Sequence, residues 1–290
     1  MRSRDSLCGR LGAAFLAVAA IGLAGCSSSP PRPTKPSGPS RAQVVPSLPA
    51  AIVPRRPAGQ GPVATVELGQ SVQGRPIEAL VFDGTGACVL ILGGIHGDEP
   101  SASALVERLA ERLKAHPEDA AGARVVLIPR ANPDGLAAGT RWNARGVDLN
   151  RNFSTGNYSG GGRHGQEALS EPESRALVAA IARYQPACVV SVHSPLNCID
   201  ADGGPSSAAL ARQMALFSPL PVKDLVALPG SLGSYVGNQL RLKMVTYELD
   251  KKDLPSWAAA GYLDRHVKPL LVAIEQCTDG VRLSERTPRP

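Results

Sequence analysis

Residues 87–100 read ACVLILGGIHGDEP, an apolar run that ends in two glycines and is followed by a histidine and a carboxylate. A short continuous apolar run bounded by turn residues is typical of a central strand buried on both faces. Gly93 and Gly94 permit the close backbone approach and unusual dihedral angles of a tight turn. We therefore expect His96 and Glu99 to lie just beyond the end of a buried strand.

Strand and helix patterns alternate on both sides of this stretch. Strands are predicted at VATVEL and IEALVF before it, and at RVVLIP (124–129), ACVVSVH (187–193) and KMVTYEL (243–249) after it. Helical periodicity is found at 101–115, from Ser170 with Glu173 in the capping-box position, at 207–217, 231–241 and 257–276. The alternation predicts an α/β fold, with a sheet layered by helices on both faces. Functional sites gather beyond the strand ends of such sheets.

Two segments between these elements are polar. NPDG (132–135) is a turn signal. Residues 135–167 form a long, glycine-rich stretch with little periodicity. Loops of that length are uncommon unless they build a site.

The first 60 residues differ in composition from the rest. Arginines are followed by a short apolar run (12–25) that closes with Leu23-Ala24-Gly25-Cys26. This ending resembles the lipobox of bacterial lipoproteins and implies cleavage before Cys26 and acylation of that cysteine. The alternative is an ordinary secretory signal with a chance cysteine. Residues 27–60 are rich in Ser and Pro and predict a semi-extended tether. We expect a signal peptide at 1–26, a catalytic domain at 61–278, and a flexible tail at 279–290.

The positive charge belongs to this N-terminal part. The whole chain has 31 Lys and Arg, 25 Asp and Glu, and a formal charge of +6. Of these, 8 basic residues and only Asp5 among the acids lie before residue 61, so the body is near neutral. The charge favours a nearby anionic lipid surface and gives no argument for nucleic-acid binding. We expect an exported protein anchored to a bacterial membrane, and Ser27 after Cys26 favours the outer membrane.

The body contains four cysteines, Cys88, Cys188, Cys198 and Cys277. Their spacing contains no CxxC pair, which disfavours a cysteine zinc site. One or two disulfides are expected if the compartment is oxidising, and buried free thiols are the alternative.

Two histidines and a carboxylate form a candidate metal site. His193 ends the strand ACVVSVH, as His96 and Glu99 follow ACVLILGG. Two imidazoles and one carboxylate with an open fourth position suit a catalytic Zn²⁺. The alternatives are a polar turn for His96 and Glu99 and a capped strand end for His193.

Other polar residues could serve such a metal. Glu248 lies inside the apolar strand MVTYEL, where a carboxylate is costly unless it is paired or used as a base. Its alternative is an outward strand position. The segment TRWNARGVDLNRNF (140–153) carries Arg141, Arg145, Asn150 and Arg151. Arginines bind carboxylates and stabilise developing oxyanions, although a solvated basic loop would look the same.

As an ordered set, these motifs resemble the zinc carboxypeptidase family. HGDE (96–99), NPDG (132–135), GTRWNARGVDLNRNF (139–153), ALSEPES (168–174), SVHSP (191–195) and YEL (247–249) carry the resemblance, which is most marked to a bacterial branch of murein tripeptide amidases. The resemblance implies a mixed, mostly parallel sheet of about eight strands between helices. It also implies one Zn²⁺ per chain, with His96, Glu99 and His193 as ligands and Glu248 as general base.

The resemblance assigns further roles by position. Arg141 matches the arginine that polarises the scissile carbonyl, and Asn150 with Arg151 matches the pair that binds the free carboxylate of the leaving residue. Tyr235, in GSLGSYVG (230–237), lies in the stretch that carries the family's mobile tyrosine. It is a candidate substrate-binding residue.

The resulting hypothesis is a lipid-anchored zinc peptidase that cleaves the γ-D-Glu–meso-diaminopimelate bond of cell-wall peptides. Three alternatives remain. A peptide or protein carboxypeptidase would use the same machinery with another pocket, expected near 230–235. A deacylase of the succinylglutamate desuccinylase type shares His-Glu-His alone. A non-enzymatic wall-binding lipoprotein would be expected to lack a ligand or the base.

Overall fold

The computed structural model describes residues 63–250 and 261–285, with side chains of the last helix described as far as Cys277. The expected signal peptide, the lipidation site Cys26 and the tether at 27–60 lie outside these residues. None of the helices in the two described ranges has the length and hydrophobicity needed to cross a lipid bilayer.

Within these two ranges the fold consists of eight strands and five α-helices. The strands are β1 (Ala64–Gln70), β2 (Pro76–Phe82), β3 (Cys88–Leu92), β4 (Arg124–Ile128), β5 (Cys188–His193), β6 (Cys198–Asp202), β7 (Val222–Lys223) and β8 (Lys243–Glu248). The helices are α1 (Pro100–Ala115), α2 (Pro133–Ala138), α3 (Pro172–Tyr184), α4 (Pro205–Ala215) and α5 (Tyr262–Glu285). Short 3₁₀ turns lie at Pro117–Ala120, Leu149–Arg151 and Gly162–His164, and a π-helical segment at Ser234–Gln239.

All eight strands belong to one sheet, in the order β1-β2-β4-β3-β5-β8-β6-β7. The four central strands β4, β3, β5 and β8 are parallel. Antiparallel pairs join β1 to β2, β2 to β4, and β8 to β6. The sheet is therefore mixed and mostly parallel at its centre, which confirms the predicted fold class.

Alternate residues of the central strands face opposite layers of helices. On β3, Val89 and Ile91 belong to the core shared with α1, α4 and α5, whereas Leu90 and Leu92 belong to the core shared with α3. All five residues of β3 are buried, because helices cover both of its faces. Full burial of one such side chain contributes about 1.5–3 kcal/mol to the free energy of folding. The burial of β3 therefore contributes substantially to the stability of the sheet.

Cys188 on β5 and Cys277 on α5 form a disulfide, with their Cα atoms 6.4 Å apart. Cys88 and Cys198 are buried free thiols. The domain therefore contains both a disulfide and buried free thiols, which were the two alternatives expected for its cysteines.

Several expected boundaries differ from the structure. Helix α3 begins at Pro172 rather than Ser170, and Glu173 makes no capping box. Instead its carboxylate accepts hydrogen bonds from the backbone N–H of Val72 (3.1 Å) and from Asn143 Nδ2 (3.1 Å). The Glu173 carboxylate is therefore used in contacts with other segments of the chain and does not cap the helix.

The C-terminal boundary also differs. Helix α5 continues past residue 278, the expected end of the domain, as far as Glu285. The part of the expected flexible tail before 286 is therefore helical, and residues 286–290 lie outside the described chain.

Candidate active site

The two histidines and Glu99 meet where adjacent parallel strands end. Within β5 and β8, His193 pairs in register with Glu248, and β3 on the other side of β5 leads into the loop carrying His96. Gly97 makes this loop compact, since a Cβ there would lie 1.9 Å from the carbonyl carbon of Gly135. Asn132, the N-cap of α2, holds the same loop in place by donating from Nδ2 to the carbonyl of Ile95 (3.3 Å).

Glu99 precedes the first residue of α1 but does not cap the helix with its side chain. Its carboxylate contacts Nδ1 of His96 at 2.8 Å and Nδ1 of His193 at 3.1 Å. Those two nitrogens are 3.3 Å apart. Each of the three residues offers one ligand atom, and all three atoms lie within 4.8 Å of one another.

The far nitrogen of each imidazole is held by an oxygen. Nε2 of His96 lies 3.2 Å from Oδ1 of Asp148, and Nε2 of His193 lies 2.9 Å from Oγ of Ser191. Such contacts orient both rings so that Nδ1 faces the common point. The three side chains are also almost fully buried. Two imidazole nitrogens and a carboxylate, buried and pre-oriented, are a donor set that fits Zn²⁺.

The protonation behaviour of Glu99 agrees with a ligand role. Burial acts to raise its pKa, but the hydrogen bonds with His193 and His96 outweigh burial and hold the pKa well below its usual range. The carboxylate is therefore ionised, as a metal ligand must be.

Glu248 lies beside this set, at the end of β8. Its Oε2 accepts a hydrogen bond from the backbone N–H of Leu196 (3.3 Å). Burial raises the pKa of Glu248, and the nearby His193 opposes that effect only in part. A carboxyl group with a raised pKa next to a metal site is suited to general acid–base chemistry.

Arg141 comes from the long loop and reaches the same place. Its Nε donates to Oδ2 of Asp148 at 2.9 Å, and one terminal nitrogen lies 3.6 Å from Oε1 of Glu99. The side chain is one-third exposed, so its guanidinium lines the cleft.

Asn150 and Arg151 line the cleft as well. Oδ1 of Asn150 accepts from the backbone N–H of Leu232 (2.8 Å), which leaves the Nδ2 donor for a ligand. One terminal nitrogen of Arg151 donates to the carbonyl of Asn150 at 2.6 Å. The two side chains present N–H donors in a fixed orientation, as carboxylate binding requires.

Two other residues of the expected group lie elsewhere. Arg145 is more than half exposed and lies 3.6 Å from Glu171. Tyr235 is 94% buried, and its ring stacks on Phe153 with centroids 5.8 Å apart. In this structure the ring of Tyr235 lies in the core that the sheet shares with α3 and not in the lining of the cleft, because the π-helical segment Ser234–Gln239 turns it that way. Its substrate-binding role stays a prediction.

The cleft that these residues share has a volume of about 280 Å³. Its far wall is formed by residues that the sequence analysis did not single out, among them Asp200, Asp202, Leu225, Val226 and Thr246. Asp202 could not be found by the argument that singled out Glu248, because the two acids of the CIDAD strand interrupt the apolar pattern on which that argument depends. Burial raises the pKa of Asp202 to about 6.

A larger groove, of about 660 Å³, lies between α1 and α5. Among its charged side chains, Arg108 binds both Glu111 (2.9 Å) and Asp264 (2.6 Å). The candidate metal ligands and Glu248 lie at the strand ends and not in this groove.

Comparison with known proteins places this site in a family context. A family model described as zinc carboxypeptidase matches residues 60–199. The chain is 36% identical to murein peptide amidase A of Escherichia coli strain K12 over 220 residues, which cover 67% of this chain and 85% of that protein. It is 30% identical to murein peptide amidase A of Vibrio campbellii over 250 residues, covering 79% and 94%.

A solved structure agrees with these sequence relatives. The crystal structure of murein-tripeptide amidase MpaA from Escherichia coli O157 superposes with a TM-score of 0.55 at 31% identity, covering 75% of this chain and 96% of that one.

Proposed function

This chain belongs to the zinc carboxypeptidase family and is therefore a hydrolase, and we propose that it is a zinc-dependent amidase of murein peptides. The bond proposed for cleavage is that between γ-D-Glu and meso-diaminopimelate. The convergence of His96, Glu99 and His193 beside Glu248 is the observation that carries the proposal. The two relatives named murein peptide amidase A support the choice of substrate.

His96 Nδ1, His193 Nδ1 and the Glu99 carboxylate would hold one Zn²⁺ per chain. When bound, zinc supplies Lewis acidity that lowers the pKa of water toward ~7 and polarises a carbonyl group.

The protein residues divide the remaining chemistry between them. Glu248 takes a proton from the attacking water and then delivers it to the leaving amine. Arg141 donates to the oxygen of the scissile carbonyl as negative charge develops on it. Asn150 and Arg151 bind the free carboxylate of the residue that is released, which places the scissile bond beside Glu248.

The location proposed for the enzyme rests on sequence and on one structural feature. The lipobox-like segment ending at Cys26 supports export and acylation, and the Ser/Pro-rich segment 27–60 supports a tether. The Cys188–Cys277 disulfide is of the kind that persists in oxidising compartments. A lipid-anchored enzyme outside the cytoplasm would meet cell-wall peptides directly.

The test uses the full-length, zinc-loaded protein with L-Ala-γ-D-Glu-meso-diaminopimelate, and mass spectrometry reads the products. Release of free diaminopimelate is expected, and it should fall by several orders of magnitude in Glu248→Gln. If only a matched L-peptide with ordinary α-linkages were cleaved, the murein substrate would be wrong and the enzyme would be a carboxypeptidase of ordinary peptides. Turnover of N-succinylglutamate alone would move the protein to the deacylases.

A further inference from the structure

No residue of the π-helical segment Ser234–Gln239 lines the catalytic cleft. Ser231 and Gly233, which come just before the segment, do line it, whereas the ring of Tyr235 packs in the core. π-Helical turns are rare and occur frequently at functional sites. The cleft therefore does not explain why the chain keeps this turn.

The segment forms a small polar pocket together with residues 155–157 of the long loop. The pocket has a volume of about 270 Å³, and its lining consists of Thr155, Gly156, Asn157, Ser234, Asn238 and Gln239. Among the described residues, this lining includes no charged side chain and no large apolar one. Such a pocket suits neither an ion nor an acyl chain, so the ligand that fits it is neutral and polar.

Two amide side chains of the pocket are held in place through their oxygen atoms. Oε1 of Gln239 accepts from the backbone N–H of Gly156 (3.0 Å). Oδ1 of Asn157 accepts from the hydroxyl of Thr155 (2.7 Å), whose oxygen accepts in turn from the backbone N–H of Gly230 (3.0 Å). Because both amide oxygens are engaged, both NH₂ groups are left as oriented donors.

The other polar groups of the pocket agree with a ligand that offers acceptors. The hydroxyl of Ser234 donates to the carbonyl of Leu228 (2.8 Å), so its proton is already used. Within residues 63–250 and 261–285, the side chain of Asn238 makes no hydrogen bond and adds a third amide. Carbonyl and hydroxyl oxygens are the groups that amide donors bind.

Gly156 leaves the side of the pocket open. A Cβ at this position would meet no atom within 4 Å. Its φ also lies outside the left-handed region, so the backbone does not require glycine here. A larger side chain would therefore occupy the pocket without disturbing the fold.

We propose that this pocket binds a neutral N-acetylated sugar of the kind that makes up murein glycan strands. The NH₂ groups of Asn157 and Gln239 bind the acetamido carbonyl and neighbouring hydroxyl oxygens. Ser231 and Gly233 line the cleft and Ser234 lines the pocket, so one segment of the chain serves both sites. Glycan held there would keep the enzyme beside wall peptides. The proposal rests on the proposed function only for the source of the sugar.

The first experiment titrates tri-N-acetylchitotriose and cellotriose into the zinc-loaded full-length protein by calorimetry. The two sugars have the same backbone linkage and differ in their acetamido groups. We expect the N-acetylated trimer to bind about 10-fold more tightly, the effect of one or two net hydrogen bonds. Absence of binding, or equal affinity for both sugars, would overturn the proposal.

Three variants localise the binding. Gly156→Leu should lower the affinity for the N-acetylated trimer by at least about 10-fold, because leucine fills the pocket and keeps the sugar from both amides. Gln239→Ala should lower it about 3- to 10-fold, since one donor is lost. Gln166→Ala, an exposed glutamine outside the pocket, is the matched control and should keep the wild-type affinity. Full affinity in Gly156→Leu would show that the sugar binds elsewhere and would refute the proposal.

Peptide hydrolysis separates this proposal from the proposed function. Gly156→Leu should cleave L-Ala-γ-D-Glu-meso-diaminopimelate within about twofold of the wild-type rate, because position 156 lies outside the cleft. Sugar binding that is lost in Gly156→Leu would support the pocket even if no murein peptide were cleaved. Cleavage of the murein peptide by a protein that binds no N-acetylated sugar would leave the amidase standing and overturn the pocket.

Discussion

Asp148 links the parts of the site that come from different segments of the chain. Its Oδ1 contacts Nε2 of His96 (3.2 Å) and accepts from the backbone N–H of Asn150 (3.0 Å), while Oδ2 accepts from Arg141 (2.9 Å). Burial acts to raise the pKa of Asp148, but His96, Arg141 and Arg151 together hold it well below its usual range. One ionised side chain thus orients the candidate metal ligand His96 and Arg141, the arginine proposed to bind the oxyanion.

Replacing Asp148 should therefore weaken metal binding without touching a ligand. We expect Asp148→Ala to lower zinc affinity about 10- to 100-fold, the usual cost of losing a hydrogen-bond partner of a metal-bound histidine. Competition with a chromophoric chelator measures the change, and Asp224→Asn serves as the control. Unchanged zinc affinity would show that His96 is oriented without Asp148.

His266 on α5 is buried, and its Nδ1 lies 2.8 Å from the Tyr247 hydroxyl. Burial lowers the pKa of His266 from 6.5 to about 4, and the charges of Asp250 and Arg265 modify that effect. The folded state favours the neutral ring, so the unfolded chain binds a proton that the folded chain does not bind until lower pH. Its contribution to stability is complete above pH 6.5 and is lost as the pH falls toward 4.

The free energy of unfolding should accordingly fall faster with acid in the wild type than in His266→Gln. Between pH 6.5 and 5 the difference should be about 2 kcal/mol. Urea unfolding at both pH values measures it. Parallel loss of stability in the two proteins would mean that His266 is not the group that titrates.

Among the elements, the apolar strands were the most predictable. ACVLILGG, ACVVSVH and KMVTYEL became β3, β5 and β8, since continuous burial leaves a continuous apolar pattern. Strand β6, CIDAD, was not predicted, because its two acids face the cleft and break that pattern. NPDG was predicted as a turn, whereas in the structure Pro133 begins helix α2 and Asn132 caps it by accepting from the N–H of Gly135 (2.9 Å).

The site residues, too, could be predicted only where a regular sequence pattern positions them. His96, Glu99, His193 and Glu248 follow or end strands, so their convergence could be predicted from topology. Tyr235 could not be placed in this way, because its direction depends on the π-helical segment Ser234–Gln239. Asp148 and Ser191 went unnoticed, since hydrogen bonds to a histidine leave no spacing pattern in the sequence.

The disulfide joins β5, which ends in His193, to helix α5. It closes a loop with a sequence separation of 89 residues, so its loss should destabilise the domain by about 2–4 kcal/mol. We expect Cys277→Ala to show this loss in guanidinium unfolding, and reductant to lower the stability of the wild type alone. The free thiol variant Cys198→Ala is the control for loss of a buried sulfur. Insensitivity of the wild type to reductant would exclude a stabilising disulfide.

At the scale of the whole molecule, the chain has two parts that differ in charge and composition. The excess of positive charge lies before residue 61, whereas the body is near neutral. The division is consistent with the proposed location, in which the basic segment would lie beside anionic lipid and the near-neutral body would carry no strong electrostatic field.

The proposed lipid anchor at Cys26 makes a direct prediction for cells. Cys26→Ser should abolish incorporation of a labelled fatty acid and shift the protein from the membrane fraction to the soluble extracytoplasmic fraction. Cys8→Ser is the matched control, because residue 8 precedes the expected cleavage point and would be removed. Continued membrane association of Cys26→Ser would mean that another segment holds the protein there.

The cleft is built from two sets of elements. The three candidate metal ligands and Glu248 lie at or just beyond the ends of β3, β5 and β8, whereas β6 and the segment around Gly233 form the facing wall. Substitutions at positions 200, 202 and 246 would therefore change the shape and charge of the cleft while leaving those four residues in place.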